Sequence, residues 1–243
     1  MRPGPNMIAA ALGGLLAAAS PVLAGDISEL NILGFSADTR LFGFEEFGVQ
    51  NGSGFPYARR FYIEVDDDRF APGTPIRIRI DDESATLEEA RNQARDAGQA
   101  IVADAELAAN RGNLAAYNPV TELSADPYRI AVNPRPVLPP VDQPFEVRLE
   151  EVPMATPARC EGFEPVFGYR LIRIDTSDGG RTRVLHEDSL IPQSRGCPTG
   201  YRLGAVQTVF PDNGAPAFAV LIQVRSFGFE GPNYDWIAVT GRL

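Results

Sequence analysis

Residues 201–230 read YRLGAVQTVFPDNGAPAFAVLIQVRSFGFE. Two apolar runs flank Pro211-Asp212-Asn213-Gly214, residues that supply the fixed φ, the local side-chain hydrogen bonds and the positive φ that a tight reversal needs, so the stretch predicts a β-hairpin. Working outward, YDWIAVTGRL at 234–243 supplies a last strand. Upstream, VFGYRLIRIDTSDGGRTRVLHED at 166–188 repeats the pattern: a strand over Phe167–Ile174, a turn centred on Asp178-Gly179-Gly180, and a returning strand over Thr182–Leu185. Successive hairpins build antiparallel sheets. The expected class is therefore mainly β (α+β): an antiparallel sandwich-like or twisted multi-sheet domain.

The first hairpin ends in Phe-Gly-Phe-Glu, 227–230, and the same tetrapeptide stands at 42–45 in LFGFEEFGVQNGSGFPY. Each copy is expected to end a strand and to lead into a loop holding glycine, proline and an aromatic, GVQNGSGFPYA (48–58) and GPNYDW (231–236). A repeated hairpin type, with inward phenylalanines and a glycine permitting close approach, explains the repetition. Around the first copy the period-2 pattern gives strands near Asn31–Phe35 and Arg40–Phe47, separated by a turn at 36–39. Phe42 and Phe44 share a face, as do Phe61, Ile63 and Val65 in a strand over Arg60–Val65. Ile76, Ile78 and Ile80 alternate against Arg77 and Arg79, the signature of a half-buried strand.

Composition changes at Ser84. Residues 84–110, SATLEEARNQARDAGQAIVADAELAAN, contain no proline and open with the capping-box sequence Thr86-Leu87-Glu88-Glu89. They predict one long helix ending before Gly112, an interruption near Gly98 being the alternative. Its apolar stripe is Leu87, Ala90, Ala94, Ala97, Ile101, Ala105 and Ala108. Residues 118–157, with VNPRPVLPPVDQPFEV at 132–147, are proline-rich and read as extended connections or edge strands. They divide the exported chain, 25–243, into hairpins plus helix (25–117), a connection (118–157) and a C-terminal β half (158–243).

Residues 1–24 carry Arg2, an apolar run from Met7 to Ala19 and the small-residue box Val22-Leu23-Ala24, the pattern of a secretory signal peptide. The apolar run is short for a transmembrane span, so no membrane insertion is expected after cleavage, and a periplasmic or secreted location follows. Cys160 and Cys197 both lie in the exported part and are expected to form a disulfide. The formal net charge of −10 argues against nucleic acid and anionic lipid surfaces as partners. Every basic residue is arginine, a choice that biased coding composition explains more simply than function.

Two resemblances stand on these residues. GFSADTRLFGFEEFGVQNGSGFPYARRFYIEVDD resembles a single blade of TolB-type β-propellers, with its F-S-x-D turn and I-x-V-D-like strand; no second copy follows, so a closed propeller is not implied. The same segment, the Ala/Glu/Arg helix, SRGCPTGY at 194–201 and FGFEGPNYDWIAV together resemble a bacterial family of predicted secreted proteins of unknown function. That resemblance implies export and one domain, and carries no catalytic residues.

His186 is the only histidine. With both cysteines paired, a His-rich zinc site and a Cys/His nucleophile are excluded, and no metal or cofactor is expected. A triad through His186 and Asp188 lacks a G-x-S-x-G elbow. Glu45, Glu46, Glu230 and Asp235 stand at the two loop mouths; converging, they could serve glycoside hydrolysis or hold Ca²⁺. Gln50, Asn51, Phe55 and Tyr57 in one loop, with Asn233, Tyr234 and Trp236 in the other, combine apolar rings with amides as sugar and peptide sites do. Inward packing of these rings is the alternative. The expected function is an exported, non-enzymatic binding or envelope-associated module for a glycan or protein ligand. Its rival is a carboxylate-based hydrolase of envelope glycans using Glu45, Glu46 and Glu230.

Overall fold

Among the residues that this computed structural model describes, 25–163, 165–175 and 180–243, thirteen strands form three antiparallel sheets. The expected leader, and Asp178-Gly179 of the expected turn, lie outside the described residues. β1 (Glu29–Phe35), β2 (Leu41–Val49), β3 (Pro56–Glu64) and β4 (Arg69–Phe70) are laid down in that order, and β5 (Ile76–Arg79) also pairs with β3. After the helices α1 (Leu87–Gly98) and α2 (Asp104–Ala109) come β6 (Asn113–Tyr117), β7 (Arg129–Val132), β8 (Phe145–Pro153), β9 (Phe167–Ile174) and β10 (Arg183–Glu187). The second sheet has the order β10-β9-β8-β7. β11 (Pro198–Val209), β12 (Ala217–Ser226) and β13 (Asn233–Arg242) complete the third, β13-β12-β11-β6.

The opening hairpin is the centre of the stack. Ala217–Val224 is buried at every position, as a strand covered on both faces must be. Phe218, Val220, Ile222 and Val224 pack with Phe145, Val147, Leu149 and Leu171 of the second sheet. On the other face Ala205, Ala217, Ala219 and Leu221 of the third sheet pack with Phe42, Phe44 and Phe61 of the first sheet, three of the four being small residues opposite large rings. The third sheet is thus the middle layer, and α1 and α2 cover the outer face of the first sheet through Phe47, Ala58, Ala90 and Ala94 and through Tyr62 and Leu107.

The Thr86 capping box forms as the sequence predicts: Thr86 Oγ1 accepts from Glu89 N and Glu89 accepts from Thr86 N at 2.7 Å. The single long helix does not form. Gly98 lies against the Tyr62 hydroxyl, where a Cβ would sit 2.2 Å from the oxygen, and the chain breaks there before α2. Accordingly the stripe is interrupted after Ala94: Ala97, Ala105 and Ala108 are exposed, Ile101 packs in part against Tyr62, and Val102 and Leu107 are buried instead. Within the proline-rich segment, β8 is an interior strand of the second sheet rather than a connection.

The two Phe-Gly-Phe-Glu copies are not equivalent. The first lies inside β2, paired on both sides, with Phe42 and Phe44 fully buried. Pairing of β12 with β13 stops at Ser226–Asn233, so the second copy falls wholly in the connection, and Phe227 and Phe229 are 60% and 97% exposed. The disulfide Cys160–Cys197 forms as expected and ties the segment before β9 to the segment before β11.

Candidate ligand cleft

The edge strand β13 borders a cleft of about 730 Å³ walled by all three sheets. Its first-sheet wall is apolar, with Phe44, Phe61, Ile63 and Phe70; Trp236, Ile237 and Ala238 of β13 form the floor. Tyr169 and His186 of the second sheet face them, and Phe163, Phe227 and the disulfide loop at Gly196-Cys197 close one side.

Period-2 alternation decides which acidic residues enter. Glu45 and Glu46, adjacent in β2, point to opposite faces. Glu46 reaches the cleft, where Oε1 accepts from Arg59 Nη1 at 2.8 Å and Oε2 from the backbone N–H of Trp236 at 2.6 Å. Asp235 accepts from the same Arg59 nitrogen at 3.0 Å and from Ser28 Oγ at 3.0 Å. Glu45 lies on the helix side, held by Arg91 at 2.9 Å, and Glu230 is exposed in the connection. The expected convergence of Glu45, Glu46 and Glu230 does not occur; Glu46 and Asp235 converge instead, on one guanidinium.

Burial, reinforced by the Asp235 carboxylate, pushes Glu46 from its usual 4.5 up to about 7 against the opposing pull of Arg59. Burial works against the Arg59 charge, but Glu46 and Asp235 outweigh it and raise its pKa. A raised carboxyl contributes stability that is fully present below the unfolded value near 4.5 and is lost as pH rises through 7. Glu46→Gln removes this titration. Urea unfolding at pH 4.5 and pH 8 is expected to show the variant gaining on the wild type by up to about 3 kcal/mol at the higher pH. A constant difference between the two proteins would show that Glu46 is ionised throughout.

At the other end, Asp68 Oδ1 accepts from the N–H of Thr240 at 2.7 Å; burial raises its pKa, and these bonds only partly offset that. Opposite, His186 stacks on Tyr169 with centroids 4.6 Å apart, and its Nε2 lies 3.0 Å from Asp188 Oδ1. Asp188 Oδ2 also accepts from Tyr169 N at 3.0 Å and from Arg195. Burial opposes the Asp188 charge, but these partners hold its carboxyl below the usual range. No seryl hydroxyl joins His186 and Asp188 in hydrogen bonding among the described residues, so the pair is a braced wall rather than two members of a triad.

The remaining expected residues tie the two loops together. Asp26 accepts from Asn51 N at 2.6 Å, donates its own N–H to Asn233 Oδ1 at 2.8 Å, and accepts from Tyr234 N at 2.8 Å. Gln50 and Phe55 close their turn by a backbone bond of 3.0 Å. Tyr57 and Trp236 are only 4% and 3% exposed: Tyr57 shares a 2.7 Å hydrogen bond with Ser28, and Trp236 Nε1 donates to Ser28 O at 2.9 Å. The loops are therefore neighbours, bridged by residues 26–28. Arg59, Asp68, Tyr169, His186 and Arg195 are not legible as one group in the sequence because they come from β3, the turn before β4, β9, β10 and the turn before β11; the one local signal is the same-side spacing of His186 and Asp188.

Residues 43–242 match the family described as "Predicted secreted protein (DUF2259)". Neither a curated protein nor a solved structure matches the chain.

Proposed function

Because the chain belongs to this family of predicted secreted proteins, we propose that it works in the periplasm or outside the cell as a binding module, taking a ligand with an apolar body into the cleft beside β13. The observation that carries this reading is the apolar wall left uncovered there: Phe70, Phe227 and Phe163 are 46%, 60% and 38% exposed around a cavity of ligand size. The polar groups within it are largely engaged with one another, so they orient a ligand rather than attack it. A glycan has less support, because the rings expected to stack on sugars, Tyr57 and Trp236, are turned inward. The hydrolase reading has less support too, since both oxygens of Glu46 accept hydrogen bonds.

Trp236 is the only tryptophan and lines the cleft, so it reports occupancy without labelling. Titration with the apolar dye 1-N-phenylnaphthylamine is expected to quench it saturably. Phe227→Ala, at an exposed position, should weaken the dye about tenfold, as loss of one well-placed aromatic contact does. Dye that binds without saturation, or equally well to Phe227→Ala, would remove the cleft as the binding site.

A further inference from the structure

Resting on that reading, we propose that the ligand is a short extended peptide with a basic side chain, added as a strand to the β13 edge at Ala238. β12 covers one edge of β13; the other is bridged by residues 26–28 at Tyr234 and from there on faces the cleft with no strand among the described residues paired to it. Along that free edge the N–H groups of alternate residues already have partners: Tyr234 donates to Asp26 O, Trp236 to Glu46 and Thr240 to Asp68. The same alternation turns the N–H and C=O of Ala238 outward, midway between the two carboxylates. Neither group has a partner among the described residues. Such a pair is matched by one residue of an added antiparallel strand, which exchanges two hydrogen bonds with it.

The carboxylates also set the length. Trp236 and Thr240 are four residues apart, about 13 Å of strand, and Glu46 and Asp68 block pairing beyond them. The window takes about three residues. Alternate side chains of such a segment point to the two walls, toward Phe61 and Phe70 on one side and toward Tyr169 and His186 on the other. A lipid chain could fill the apolar space but would leave the Ala238 amide unmatched, at a cost for a sheltered donor.

Charge selects the basic residue. Arg59 is one cation between two carboxylates, Glu46 and Asp235. Arg195 is taken by Asp188, and Arg69 by Glu64 and Asp67. Among the described residues Asp68 has Thr240 as its hydrogen-bond partner and no cation in salt-bridge contact; His186 lines the cleft with it, and exposed Arg77 stands at the mouth. Asp68 is thus the lining carboxylate without an ion-pair partner, and a guanidinium or ammonium group on the ligand supplies one.

The test uses three capped probes on the oxidised protein, read by Trp236 quenching and by displacement of bound dye. These are acetyl-Phe-Arg-Phe-amide, the same peptide with glutamine for arginine, and the arginine peptide N-methylated at its central amide. The first is expected to bind at least tenfold more tightly than either other. Asp68→Asn, with its melting curve checked against wild type, is expected to shrink the arginine-over-glutamine preference severalfold. Equal binding of the N-methylated probe would overturn strand addition, and equal binding of the glutamine probe would overturn the basic side chain. Dye binding with no displacement by any peptide would overturn the peptide while leaving the cleft reading intact; failure of the dye itself would overturn both.

Discussion

Glu45→Ala is expected to lower the stability of the fold by about 3–5 kcal/mol, the usual cost of removing one partner from a buried ion pair. Glu45 is 1% exposed, between the first sheet and α1. Its carboxylate accepts from Arg91 Nη2 at 2.9 Å and from Asn31 Nδ2 at 3.2 Å, and lies 3.9 Å from Arg60 Nε. Arg60 is 3% exposed and otherwise held by Asp104, through two bonds of 2.6 and 3.0 Å. Without Glu45, two guanidiniums share a site with one carboxylate fewer, and Arg60 Nε, which already lacks a hydrogen-bond partner, loses its nearest counter-charge as well. Urea unfolding measures the loss, and dye affinity of the folded variant should be unchanged. A loss under about 1 kcal/mol accompanied by weakened dye would instead make Glu45 a ligand residue and move the site to the helix face.

That contrast shows where sequence reading reached and where it stopped. The hairpin at Pro211–Gly214, the β9 strand and the Thr86 capping box were legible because each depends on residues within a few positions of one another. The role of Ala217–Val224 was not, since an apolar run predicts burial but does not say that two further sheets cover it. Gly98 itself marks a candidate break, but what decides between a broken and a continuous helix is Tyr62, distant in the chain. The acidic residues failed for a simpler reason. Treating Phe-Gly-Phe-Glu as a strand end put Glu45 and Glu46 at one loop mouth, whereas β2 continues to Val49 and sends them to opposite faces. Likewise the loops proved to be neighbours, but through Asp26 and Ser28, small polar residues that periodicity does not single out.

Replacing both cysteines, Cys160→Ala with Cys197→Ala, is expected to cost about 4 kcal/mol, because the bond closes a loop with a sequence separation of 37 and so restricts the unfolded chain. The loop encloses β9 and β10, which carry Tyr169 and His186 into the cleft, and Gly196 and Cys197 are themselves lining residues. The bond has local reinforcement: Arg159 Nη2 donates to the carbonyls of Ile191, Pro192 and Gly196 at 3.1, 3.1 and 3.3 Å, and Cys160 packs with Val166 and Ile191. These contacts act in the folded state, whereas the covalent bond acts mainly on the unfolded one, so the two contributions separate experimentally. Urea midpoints of the double variant and of Arg159→Ala distinguish them. If the double variant loses about 4 kcal/mol and retains wild-type dye affinity, the disulfide holds the chain together but does not shape the wall. If dye affinity falls with it, the bond also positions Gly196 and Cys197 against the ligand. A loss under about 1 kcal/mol would mean that unfolded-chain restriction is offset by native strain, and that Arg159 alone keeps this side of the cleft closed.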